Sequence, residues 1–260
     1  MGEAKRRRRS NAERLATEPG CIYCAGRKPA TTLDHMPPRA IFSAKHRPKG
    51  LEFPCCEACN AGTKTTDQVA ALISRILPDA STEEGLAEVR KYLQGVANNA
   101  PGLLEEMSGP PAWRNAAAGR VPAGMHPLYC AGPLVSHHME AFAAKFGFAM
   151  HFEVTGQPIG PNGAVAARWY SNADVLEGKF PMEAWGVMGD PATLEQGTFQ
   201  VAEQFEYAWA VGEDGSFGMF LGTFRQSFAV LAFTTTGPRE IFEKPLVLLR
   251  LWRPGDLAGG

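Results

Sequence analysis

Two cysteine pairs, Cys21-Ile22-Tyr23-Cys24 and Cys56-Glu57-Ala58-Cys59, carry the clearest chemistry in this chain. Each supplies two thiols from one tight turn, and four thiolates at about 2.3 Å satisfy tetrahedral zinc. Five of the six cysteines lie between Cys21 and Cys59. Met1 to Arg9 is basic, and no apolar stretch follows it as a secretory signal would require. In a chain without an export signal such pairs are metal ligands more often than disulfides. Redox dithiols are the alternative, but no βαβ pattern surrounds either pair. Cys55 and Cys130 read as ordinary small buried thiols.

Cys24 and Cys56 are separated by 31 residues, more than the roughly 15–20 of a simple zinc ribbon, so something is inserted between the knuckles. The insert contains Leu33-Asp34-His35-Met36-Pro37-Pro38-Arg39. The Asp34 carboxylate can hold a hard divalent cation such as magnesium. His35, with an ordinary pKa near 6.5, can take a proton from a water attacking a phosphodiester. Taken alone, His35 would read as a satisfied core or turn residue. Asn60, directly after the second knuckle, would alone be a helix N-cap. It opens an expected helix carrying Lys64 and Asp67, and seven residues return Asp67 to the Asn60 face as a candidate third cation ligand. Arg39, Lys45, Arg47, Lys49 and Lys64 are candidate phosphate contacts, the alternative being solubilising charges.

The order of four cysteines, an Asp-His pair and a Cys-Asn helix start resembles the HNH endonuclease family over Cys21 to about Asp67. The resemblance implies a ββα-metal module, a β-hairpin packed on one helix around a catalytic magnesium or manganese. It also implies that His35 is the general base, that Asp34 and Asn60 bind the catalytic cation, and that Cys21, Cys24, Cys56 and Cys59 hold a structural zinc. Leu51 stands where the family carries its middle Asn, five residues before the third cysteine. The activity implied is metal-dependent hydrolysis of nucleic acid, DNA ahead of RNA. The alternative is a non-catalytic zinc-containing module that binds nucleic acid, with Asp34 and His35 as structural residues.

The elements that must position these residues follow from charge and periodicity. Residues 1–70 carry 13 basic and 7 acidic side chains, although the whole chain has a net charge of -1, so a basic front end meets an acidic remainder. Residues 1–20 read as a basic arm and 21–78 as the zinc module, whose helix runs from about Asn60 to Leu77. Residues 79–127 read as a helix over Glu83 to Val96 and then a proline-rich connection with short turns. Residues 128–260 read as an α+β domain: a helix over Ser136 to Phe146, then strands at Phe148–Val154, Val165–Ser171, Thr198–Val211, Phe217–Leu221, Phe228–Thr234 and Pro245–Leu251. Glu213-Asp214-Gly215 marks a hairpin turn. His137 and His138 are poor partners for one ion, and His151 is expected on a strand with an ordinary contact. The strand aromatics read as core rather than as a base-stacking platform. The apolar runs are too short to span a membrane, so a cytoplasmic protein is expected. A protein partner or self-association would involve the C-terminal domain.

Overall fold

A computed structural model of the chain describes residues 15–16, 20–43, 47, 50–76, 83–118, 128–196, 199–201, 203–237 and 250–259. The fold mixes helices with an antiparallel sheet. A 3₁₀ turn over Ile22–Cys24 precedes β1 (Thr32–His35) and β2 (Glu52–Cys55), which pair antiparallel with Asp34 opposite Phe53 and His35 opposite Glu52. Helices α1 (Glu57–Gly62), α2 (Lys64–Arg75), α3 (Glu83–Asn99), α4 (Leu103–Met107) and α5 (Pro111–Ala118) follow, then the 23-residue α6 (Pro133–Thr155). After β3 (Ala164–Ser171) come short helices α7 (Asn172–Leu176) and α8 (Glu183–Gly186). Short strands β4 (Ala192–Thr193), β5 (Glu195–Gln196) and β6 (Phe199–Gln200) lead to β7 (Phe205–Val211), β8 (Phe217–Phe224) and β9 (Phe228–Thr235); β10 is Leu251–Trp252. The main sheet has the order β10-β3-β9-β8-β7-β4, and β5 pairs with β6 alone.

The expected helix from Asn60 to Leu77 is two helices, and it begins earlier. Cys56 is the N-cap of α1, so Asn60 lies inside a helix rather than capping one. The chain breaks at Thr63, whose Oγ1 donates to the Cys59 carbonyl at 3.2 Å, a local bond that competes with the helical ladder. Residues 98–118 also carry more order than a connection. Helices α4 and α5 form there, the latter opening on Pro111, where a proline is tolerated in a first turn.

The largest correction concerns Phe148–Val154, which is the second half of α6 and not a strand. The alternation Phe148, Met150, Phe152 imitates a strand period. On a helix packed against β3, β8 and β9 on one side and against α2 and the first cysteine knuckle on another, apolar residues are required all round. Gly147 looks like a break but permits close approach. A Cβ there would lie 2.6 Å from a Val165 methyl and 3.0 Å from the Ala232 Cβ. Gly156, in the left-handed region at φ 73°, ends the helix. At the other end Glu106 accepts the N–H groups of Leu134 and Val135 at 2.9 and 2.8 Å.

The expected strands at 165–171, 217–221 and 228–234 are present as β3, β8 and β9, with β8 running on to Phe224. The stretch 198–211 divides into β6 and β7 around a turn in which Phe205 N–H donates to Val201 O. Gly215, at φ 71°, sits in the expected turn between β7 and β8, where Asp214 accepts from the Ser216 N–H and hydroxyl. Most of 245–251 and most of the basic arm lie outside the described residues. No helix among the described residues is long and apolar enough to cross a membrane.

One buried cluster runs from Cys21 through α2 and α6 to Leu257, joining the cysteine region to the sheet. The last residues return to the first knuckle: Gly255 N–H donates to Tyr23 O at 2.7 Å, and the Arg27 guanidinium donates to Pro254 O. The turn over Asp256–Gly259 packs on α1, where Gly62 leaves no room for a side chain.

His151 is buried inside α6, with Nδ1 2.8 Å from Thr234 Oγ1, and burial lowers its pKa to about 4. Between about 4 and 6.5 the unfolded chain binds a proton at this residue and the folded chain does not. Stability present above the unfolded value is therefore lost as pH falls through that window. His151→Gln should flatten the stability-versus-pH curve there by on the order of 1 kcal/mol per pH unit, measured by urea unfolding at each pH. Gly147→Ala should lower stability by about 1–3 kcal/mol through overpacking. Gly95→Ala, in α3 with open space at its Cβ position, should raise it by up to about 1 kcal/mol. Opposite shifts of the two urea midpoints check the packing account of Gly147.

Candidate metal centre and adjoining site

The first cysteine pair is shaped by a tight turn. Cys21 N–H donates to Lys28 O, Gly26 N–H returns to Cys21 O at 2.9 Å, and Ala25 and Gly26 both take positive φ. This curl turns the thiols of Cys21 and Cys24 toward one point. The second pair uses a helix start, with Cys56 as N-cap and Cys59 in the first turn of α1. All four residues are buried, and their sulfurs lie within 4.8 Å of one another. Tetrahedral zinc with bonds of about 2.3 Å needs sulfur separations of about 3.8 Å, so a small contraction suffices. The cluster could hold a structural metal ion such as zinc. Hydrogen bonds from the Cys55 and Cys59 thiols hold Cys21 below the usual thiol range, while Cys59, as a donor to it, and Cys24, through burial, are held above it, so a metal would have to displace protons from the cluster. Cys55 is buried beside the cluster and also donates to Cys56 O at 3.3 Å.

Strand alternation separates the Asp34 and His35 side chains onto opposite faces of β1. Asp34 points inward and is buried. Its Oδ2 accepts from the Tyr23 hydroxyl at 2.6 Å, and its Oδ1 accepts from the Lys145 ammonium at 3.0 Å. The same ammonium reaches both Asp67 oxygens at 2.8 and 2.9 Å. Lys145 is fully buried on α6, and Asp67 retains 19% side-chain exposure. Burial pulls the Lys145 pKa down, but Asp34 and Asp67 outweigh it and hold the ammonium above its ordinary value. Burial pushes Asp67 up from the usual carboxylate range, against the pull of Lys145. Tyr23 is likewise held well above its ordinary value, first by burial and then by the Asp34 charge, so it remains a donor.

His35 lies at the hairpin end with 22% side-chain exposure, its Nε2 3.7 Å from Glu52 Oε1. Burial, then the positive charges of Arg47 and Arg39, lower its pKa to about 4, leaving a neutral imidazole at physiological pH. Arg39 and Lys64 are exposed, while Lys45 and Lys49 lie outside the described residues. Arg47 turns back on the protein: Nε donates to Pro37 O at 3.0 Å and Nη2 to Leu51 O at 3.1 Å. These bonds close the hairpin loop at the position where an Asn was expected. Leu51 itself is buried, with φ 50°, and its carbonyl also accepts the Met36 N–H.

The structure thus gathers the four cysteines in one cluster and Asp34 with Asp67 in another. Asn60 is half-buried in α1; its N–H donates to Cys56 O, and its carbonyl accepts from Thr63 Oγ1. The break at Thr63 interrupts the seven-residue register expected between Asn60 and Asp67. Among the described residues, the four cysteines are the one set of three or more His, Cys, Asp or Glu side chains close enough to share an ion. A divalent cation on Asp34 does not fit this arrangement, because both of its oxygens are engaged and an ammonium fills the space between it and Asp67. His137 and His138 lie at ring centroids 5.3 Å apart, with His138 Nδ1 3.2 Å from Thr66 Oγ1.

Lys145 and Tyr23 are the residues that sequence reasoning missed. A signal existed for the first. A single lysine inside Ala-Phe-Ala-Ala-Lys-Phe-Gly-Phe-Ala-Met must find a carboxylate once that helix is buried. Comparison with protein-family models, with curated proteins and with solved structures returned no match.

Purified protein should carry one zinc per chain by elemental analysis, and Cys59→Ser should lose it. Because ligation is coupled to folding, chelation should lower Tm by roughly 10 °C, with readdition of zinc restoring it. An unchanged Tm in metal-free protein would count against a structural metal.

Proposed function

We propose that this chain acts on nucleic acid through an HNH-type module, hydrolysing phosphodiester bonds with His35 as general base. The observation that carries this reading is the placement of His35. A partly exposed imidazole ends a hairpin flanked by the four-thiol cluster, beside the exposed guanidinium of Arg39. The β1–β2 pair followed by α1 supplies the elements that a ββα unit uses. In the proposed reaction, His35 removes a proton from water as its oxygen attacks phosphorus, and the departing sugar oxygen regains a proton from solvent. Arg39 and Lys64 would meet the phosphates, and the basic front end would draw the polyanion in. DNA is the proposed substrate ahead of RNA on the family resemblance alone. Magnesium or manganese belongs to the family reading, but neither has a place in the proposed step while Asp34 is engaged by Tyr23 and Lys145.

The second reading, a zinc-containing module that binds nucleic acid without cutting it, is favoured by that same engagement. Asp34 serves as a buried structural residue in this arrangement, tied to Tyr23 and Lys145.

Plasmid cleavage by zinc-replete wild type and His35→Ala, with magnesium, with manganese and with EDTA, separates the two. Loss of a general base should slow cleavage about 10²- to 10⁴-fold while zinc content and DNA affinity stay nearly unchanged. If neither protein cuts, and both bind DNA with a steep salt dependence, the hydrolytic reading fails and the binding reading stands.

A further inference from the structure

We propose that Lys145 is the resident cation of the Asp34–Asp67 carboxylate pair, and that it excludes divalent metal from Asp34 in the folded protein. The HNH-type reading explains only why a metal would be expected at Asp34; the position of Lys145 is independent of that reading. The ammonium has three protons and three close carboxylate oxygens, Asp34 Oδ1 and both oxygens of Asp67, at 2.8–3.0 Å. The remaining oxygen of Asp34 is bonded by the Tyr23 hydroxyl. Every strong partner in the group is used, so the socket is filled with respect to both charge and hydrogen bonds.

Nor can the ammonium swing aside easily. Lys145 is wholly buried, and its helix neighbours Ala144 and Phe146 are buried with it. The helix is fixed between the sheet and α2, with Glu106 binding its first turn. A divalent ion entering past the partly exposed Asp67 would face a fixed, buried positive charge. It would also have to strip Tyr23 or Lys145 from Asp34. A lysine thus occupies the position that a metal cofactor would need, and it does so from the other half of the chain.

The test is Mn²⁺ binding to zinc-replete protein, followed by Mn²⁺ electron spin resonance and by thermal shift. Wild type should give no Mn²⁺ site that depends on Asp34. Lys145→Met leaves two carboxylates without their cation. It should gain at least roughly tenfold in Mn²⁺ affinity, with a Tm that rises on adding Mn²⁺. Adding Asp34→Asn to that variant should abolish the gain. The proposal is overturned if wild type binds Mn²⁺ through Asp34, or if folded Lys145→Met gains no site. If Lys145→Met does not fold, wild type against Asp67→Asn decides. Equal absence of Mn²⁺ binding supports the proposal, and a wild-type site lost in Asp67→Asn overturns it. Nucleic acid takes no part in these measurements, so this proposal and the hydrolytic reading can fail separately.

Discussion

A fully buried lysine ammonium held between two carboxylates is the constraint from which most of this structure follows. Lys145 comes from α6, Asp34 from β1 and Asp67 from α2, and Tyr23, the donor to Asp34, lies between the first two cysteines. Three elements distant in sequence therefore meet at the Lys145 ammonium, and the first knuckle joins them through Tyr23 and Asp34. Removing one partner would leave an uncompensated buried charge, which typically costs about 3–5 kcal/mol. That penalty makes the arrangement all-or-none: the knuckle, the hairpin, α2 and α6 are in register together or the charges are unpaired.

The thiol cluster and the salt link reinforce each other because they share a turn. Closing Cys21 and Cys24 against Cys56 and Cys59 fixes Tyr23, and Tyr23 then fixes one oxygen of Asp34. The same strand places a partly exposed imidazole on its other face. Because side chains alternate along β1, an inward Asp34 forces His35 outward, toward Glu52 and Arg39. Other ties act in parallel. Arg225, in the turn between β8 and β9, donates to Ile41 O and Ser43 Oγ, and Ser227 donates to Ser74 O. Buried Arg75 binds the carbonyls of Ala40 and Phe42 and pairs with Glu88. Residues 40–43, which follow β1, are thereby clamped from both sides.

Local patterns were readable wherever one short stretch settles its own structure. Cysteine spacing announced the four-thiol cluster, and β-rich runs announced β3, β8 and β9. Reading failed where a partner distant in sequence decides the outcome. The Phe148–Val154 stretch alternates like a strand, but it is helical because a central helix has no polar side. Gly147 resembles a stop signal, and its purpose appears only once Val165 and Ala232 lie against it. Asp34 was legible as a cation ligand, with Asn60 as its expected partner and Asp67 as a candidate third. That the cation would be a lysine 78 residues beyond Asp67 depends on tertiary packing that no local pattern records. The Arg47 bonds to Pro37 and Leu51 were hidden for the same reason, since an arginine near a proposed nucleic-acid site reads first as a phosphate contact.

The most direct check is ¹H–¹⁵N NMR of the lysine side chains, with Lys145 assigned by its absence in Lys145→Met. A buried ammonium bonded to three carboxylate oxygens should give a protected resonance at neutral pH that millimolar Mg²⁺ does not move. A Lys145 ammonium that exchanges as fast as the surface lysines, or that is displaced when Mg²⁺ is added, would contradict the account.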